Sequence, residues 1–141
     1  GQAFHATKSL AEQLRVTNVT FLPFLPQREV VEYVRNADVC MGLVGDVPRV
    51  IRAIPNKMYE AAAMARVSIT VDSSSLREVF TPGLDTVGVK QGDPEELARA
   101  IRELKASGCA EAMGQAAYGT FVKTSTPKLV AESLISAIAK V

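Results

Sequence analysis

Apolar positions along the chain switch from helix-like to strand-like spacing and back. From about Phe4 to Leu14, the residues Leu10, Ala11 and Leu14 recur at helical spacing and predict a helix. Asn18 precedes Val19-Thr20-Phe21-Leu22, a short β-branched and aromatic run that predicts a strand ended by Pro23. Pro26 suits the first turn of a second helix, with Val30, Val31, Val34 and Ala37 as its apolar stripe. After Asp38, the nearly unbroken apolar run Val39–Val44 predicts a parallel strand covered on both faces. Residues 45–55 predict a loop. Asn56 is placed to cap the next helix, and Met58 to Ala65 supplies strong helix formers.

Val67–Val71 predicts the next strand, followed by a turn over Asp72–Ser75 and a short helix from Leu76 to Phe80. Thr81-Pro82-Gly83 breaks that helix, and Thr86–Lys90 predicts a last short strand. Asp93-Pro94-Glu95-Glu96 is a helix start: a cap, a proline at the first position and acids in the first turn. Leu97, Ala98, Ile101 and Leu104 form the expected buried stripe, and Gly108 fits the stop. A further helix is expected over Glu111–Phe121. Thr126-Pro127 opens the last one, with Val130, Leu134, Ile138 and Val141 expected to face inward. Alternating strand and helix predicts an α/β fold with a parallel sheet of four strands. A sheet of this kind that opens on a helix is either a small complete domain or one whose preceding strands lie upstream of Gly1.

At 141 residues the length predicts one domain. The 48% hydrophobic content is that of a globular chain. Sixteen Lys and Arg stand against fifteen Asp and Glu, for a net charge of +1, which excludes nucleic-acid binding driven by bulk charge but not a local anion site. No apolar run is long enough to predict a membrane span, and Gly1–Leu10 lacks the apolar core of a signal peptide. Cys40 and Cys109 have no CxxC spacing and are expected to be free thiols, Cys40 as a small core residue. A zinc site needs three or four clustered ligands, and His5 stands alone, so no metal is expected. A Ser-His-Asp or Cys-His mechanism would have to use this same histidine.

In parallel α/β sheets, ligands bind beyond the carboxyl ends of the strands, at helix N-termini. The loop after Val44 and the helix opening at Asn56 form such a place, and Ile54-Pro55-Asn56-Lys57-Met58-Tyr59-Glu60 is its densest polar cluster. Free amides at Asn56 and Lys57 would suit a phosphate, to which Lys57 adds positive charge. Glu60, one turn in, would accept two ribose hydroxyls, and Ala61, Ala62 and Ala63 keep the helix slim against the sheet. The plainer alternative leaves Asn56 as a cap and Glu60 as a solvated acid favoured by the helix dipole. Arg49 and Arg52 are equally consistent with solvated loop cations, and Asp72 with a turn former rather than a base.

The series Val19-Thr20-Phe21-Leu22-Pro23-Phe24, Glu29-Val30-Val31-Glu32-Tyr33 and Asn36-Ala37-Asp38-Val39 resembles the C-terminal half of family 4 (group 1) glycosyltransferases of the GT-B fold. So do Ile54 to Ala65, with a glutamate leading into an alanine-rich helix, then Glu78-Val79-Phe80, the Thr86–Lys90 strand and Gly92 to Ala98. Order and spacing hold from about Leu10 to Val141. The resemblance implies a partial Rossmann-like sheet. It also implies a domain that binds the nucleotide-sugar donor of a transferase retaining anomeric configuration without a metal or other cofactor. It places Glu60 on the donor ribose, Pro55, Asn56 and Lys57 by the diphosphate, and Leu22, Pro23 and Phe24 beside the base. The family often has a second glutamate eight positions before the first. That position holds Arg52, which is thereby a candidate donor contact of opposite charge. Ala65 and Val67 stand where a glycine and a proline are common after the helix.

Two strands, a glycine-rich loop, a basic pair and a whole acceptor domain precede this region in the family. The resemblance therefore implies an N-terminally truncated donor-binding domain that is inactive alone. Its glycan or lipid-linked acceptor would be taken by the missing N-terminal domain. It also implies a cytoplasmic protein, any peripheral membrane contact running through that domain, with no nucleic-acid partner. A non-catalytic nucleotide- or protein-binding module of the same fold, or a GT-B epimerase, is the alternative.

Overall fold

The computed structural model describes residues 3–139. The chain divides into two compact units, residues 1–32 and 33–141. In the first, α1 (Phe4–Gln13) ends in a Schellman turn. The Val16 amide donates to the Ala11 carbonyl at 2.9 Å, the Arg15 amide donates to the Glu12 carbonyl at 3.0 Å, and Arg15 takes a left-handed φ of 53°. The Phe4 ring stands edge-on to Phe21, centroids 5.9 Å apart. No described residue before Tyr33 is fully buried. The run Val19–Leu22, expected to be a strand, is not one. A strand exists only where a neighbour completes its hydrogen bonds, and β-forming composition does not supply one. Helix α2 (Gln27–Arg35) contains the division between the units.

The core lies in the second unit. Three strands, β1 (Cys40–Met41), β2 (Ser68–Val71) and β3 (Val87–Val89), form a parallel sheet in that order. The register sets Met41 opposite Ile69 and Thr70 opposite Gly88. The expected strand Val39–Val44 is only two residues long as a ladder, and Thr70 is the reason. Its hydroxyl accepts the Leu43 amide at 3.1 Å and reaches the Leu43 carbonyl at the same distance, so a side chain replaces the main-chain ladder. This needs Gly42, because any Cβ there would collide with the Thr70 side chain. Beyond it the Val71 amide still donates to the Leu43 carbonyl at 2.9 Å, which keeps the chain aligned toward the carboxyl edge.

Two apolar clusters hold helices to the sheet. Val67, Ile69 and Val89 pack with Ala100 and Leu104 of α5 (Pro94–Ser107) and Met113 of α6 (Ala110–Thr124). Met58 and Ala62 of α3 (Asn56–Ala63) pack with Leu76, Phe80 and Ala117. Helix α4 (Ser74–Arg77) begins two residues earlier than expected. The Ser73 side chain accepts the Leu76 amide at 3.1 Å and so sets its start. Helix α5 starts and stops where the sequence places it, on the Asp93 cap and on Gly108 at φ 67°. Its inner line runs through Leu97, Ala100 and Leu104, and Ile101 is exposed. On α7 (Pro127–Ile138), Val130, Leu134 and Ile138 are exposed rather than inward, and Val141 lies outside the described residues. Cys40 is half-buried, and burial pushes its thiol pKa up against the opposing pull of Arg66. No helix among the described residues is long and apolar enough to cross a membrane.

Helix α3 ends like α1. The Arg66 amide donates to the Ala61 carbonyl at 2.9 Å, the Ala65 amide donates to the Ala62 carbonyl at 3.0 Å, and Ala65 sits at a left-handed φ of 55°. Gly114 of α6 is pressed against the Ala65 carbonyl, with no room for a Cβ. A side chain in the left-handed region costs about 1–2 kcal/mol, partly offset by the freedom a glycine loses on folding. Ala65→Gly is therefore expected to stabilise the protein by about 0.5–1 kcal/mol, raising the melting midpoint by about 2–4 °C. A lowered midpoint would overturn this account of the helix end.

Candidate functional site

Because all three strands are parallel, their carboxyl ends share one edge of the sheet, and each connection must bring the chain back across it. The segment leaving β1 is held at that edge. The Gly92 amide donates to the Val44 carbonyl at 3.3 Å, and the Gln91 side-chain amide donates to the Val47 carbonyl at 3.1 Å. Asp46 lies so close to Gly92 that no Cβ fits there, and Gly92 has φ 65°. Pro48 then starts a 3-10 turn, Pro48–Ile51, inside what the sequence predicts as plain loop. Val50 is its buried anchor, at 6% exposure. Arg52 follows the turn, exposed, its amide donating to the Arg49 carbonyl at 3.2 Å.

Pro55, not Asn56, is the N-cap of α3. It is extended (φ −72°, ψ 144°), and Asn56 is the first helical residue, with no side-chain cap bond at this helix start. Proline preceded by an extended segment ends one element and starts the next without a capping side chain. From there the helix has two faces. Met58, Ala61 and Ala62 are buried against the core, whereas Asn56, Lys57 and Glu60 are exposed. Spacings of three and four place these three on one surface. The structure thus brings Asn56, Lys57 and Glu60 together, with Pro55 half-buried at their head.

Lys57 forms no ion pair among the described residues, and neither does Glu60. Partial burial alone pushes the Lys57 pKa down from the ordinary lysine range. It is a cation stripped of some of its water at a helix N-terminus, where the dipole also favours an anion. Leu22, Pro23 and Phe24 belong to the first unit and are all exposed there, Phe24 at 98%.

One pair at the carboxyl edge of β2 escaped the sequence reading. Arg77 grips Asp72 with two bonds, Nε to Oδ1 at 2.8 Å and Nη2 to Oδ2 at 2.5 Å. The Asp72 amide donates to the Val89 carbonyl at 2.9 Å, and its side chain lies over Gly88. Asp72 is therefore neither a mere turn former nor a free base, since its carboxylate is occupied. The sequence signal was the five-residue spacing across a four-residue helix, visible only once that helix is placed.

The family described as glycosyl transferases group 1 matches residues 1–107. The chain belongs to that family. A comparison with curated proteins gives no match. Group 1 glycosyltransferases move a glycosyl group, which gives this chain a role in glycosyl transfer, with a sugar donor and an acceptor in general.

Proposed function

We propose that the exposed face of α3 is the donor site of a retaining glycosyltransferase that moves a sugar from a nucleoside diphosphate to a glycan or lipid-linked acceptor. The observation that carries this reading is the grouping of Asn56, Lys57 and Glu60 on one face, with Lys57 partly desolvated and unpaired. A cation in the first turn of a helix favours a bound anion, and the amides at the helix N-terminus point the same way. Glu60 has two carboxylate oxygens free for two ribose hydroxyls one turn further in. Pro55 and Asn56 line the diphosphate. In the transfer, the bond from the sugar's anomeric carbon to the diphosphate oxygen breaks and negative charge grows on that oxygen. Lys57 and the helix N-terminus stabilise this charge where it develops, the electrostatic part of catalysis.

The test is a thermal-shift panel on the full-length protein with UDP, GDP, ADP and their sugars. One nucleoside diphosphate is expected to stand out, adding about 2.7 kcal/mol of stability at a hundredfold excess over its Kd. No shift with any of them overturns the donor site. Equal shifts with all three bases and no turnover would instead make the domain a non-catalytic binding module.

A further inference from the structure

We draw no further inference here: the strongest candidate, the cavity at the amino edge of the sheet lined by Asp38, Arg66, Gly108, Ala110 and Glu111, rests on the N-terminus of α6 with no second observation that points to a ligand, since the orphaned Nε of Arg66 is sealed from solvent and two carboxylates share the cavity wall.

Discussion

Phe80→Ala is expected to lower the unfolding free energy by about 3–5 kcal/mol, read as a shifted urea midpoint with an unchanged slope. Phe80 is 2% exposed, and it is among the largest fully buried side chains of the chain. It packs in one cluster with Met58 and Ala62 of α3, Leu76 of α4 and Ala117 of α6. Its ring also lies 5.8 Å from that of Tyr59, tilted by 50°. Truncation leaves a cavity bordered by three helices, two of which are fixed elsewhere. α3 is fixed by the Gly114 contact at its end and α6 by the bond from the Thr120 hydroxyl to the buried Asp85 carboxylate, at 2.6 Å. The site cannot collapse easily, so the cavity contribution stays large. The same change should loosen α3 and with it the face carrying Lys57 and Glu60. Nucleotide affinity is expected to fall further at temperatures approaching the new midpoint than well below it. A loss under about 1 kcal/mol would mean that the cluster does not hold α3 to the body of the unit.

The parts legible in the sequence were those fixed by local chemistry. Asp93, Pro94 and Gly108 bound α5 because caps and left-handed stops act within a few residues. Helix α3 was legible because the strong helix formers from Met58 onward act locally, but of Ala61, Ala62 and Ala63, all expected against the sheet, Ala63 is exposed. What failed depended on partners far away in the chain. Val19–Leu22 has strand composition, yet composition cannot say whether a neighbour completes its ladder. The short β1 follows from Thr70, 27 residues after Leu43, reaching over Gly42. Val130, Leu134 and Ile138 make an apolar stripe on α7, but periodicity shows only that a helix has such a side, not that something covers it. At the site, the sequence reading made Asn56 the cap, where the extended Pro55 takes that place. The occupied carboxylate of Asp72 was invisible until α4 brought Arg77 to it. The departure noted at Ala65 proved conformational. The residue holds the left-handed angle that a glycine would take without strain.

Glu60→Ala is expected to weaken binding of the preferred nucleoside diphosphate by about tenfold to a hundredfold, corresponding to about 1–3 kcal/mol of lost polar contact. The fold should not notice. Glu60 is exposed, makes no ion pair among the described residues, and alanine is the better helix former. Stability should therefore stay within about 0.5 kcal/mol of wild type, so a change in affinity belongs to the contact and not to unfolding. A second ligand identifies the contact as one to ribose. Against the wild type, the 2′-deoxy nucleoside diphosphate should bind more weakly than its ribose parent, because one carboxylate oxygen loses its hydroxyl. Against Glu60→Ala, the two nucleotides should bind nearly alike, since the acceptor is already gone. The difference between those differences is the coupling energy of the carboxylate with the hydroxyl, expected at about 0.5–3 kcal/mol. Glu60→Gln keeps one acceptor oxygen and should fall between the other two proteins. If wild type and Glu60→Ala discriminate the deoxy nucleotide equally, Glu60 does not hold the ribose. The exposed face of α3 would then be left with Lys57 and its helix N-terminus as a phosphate contact alone.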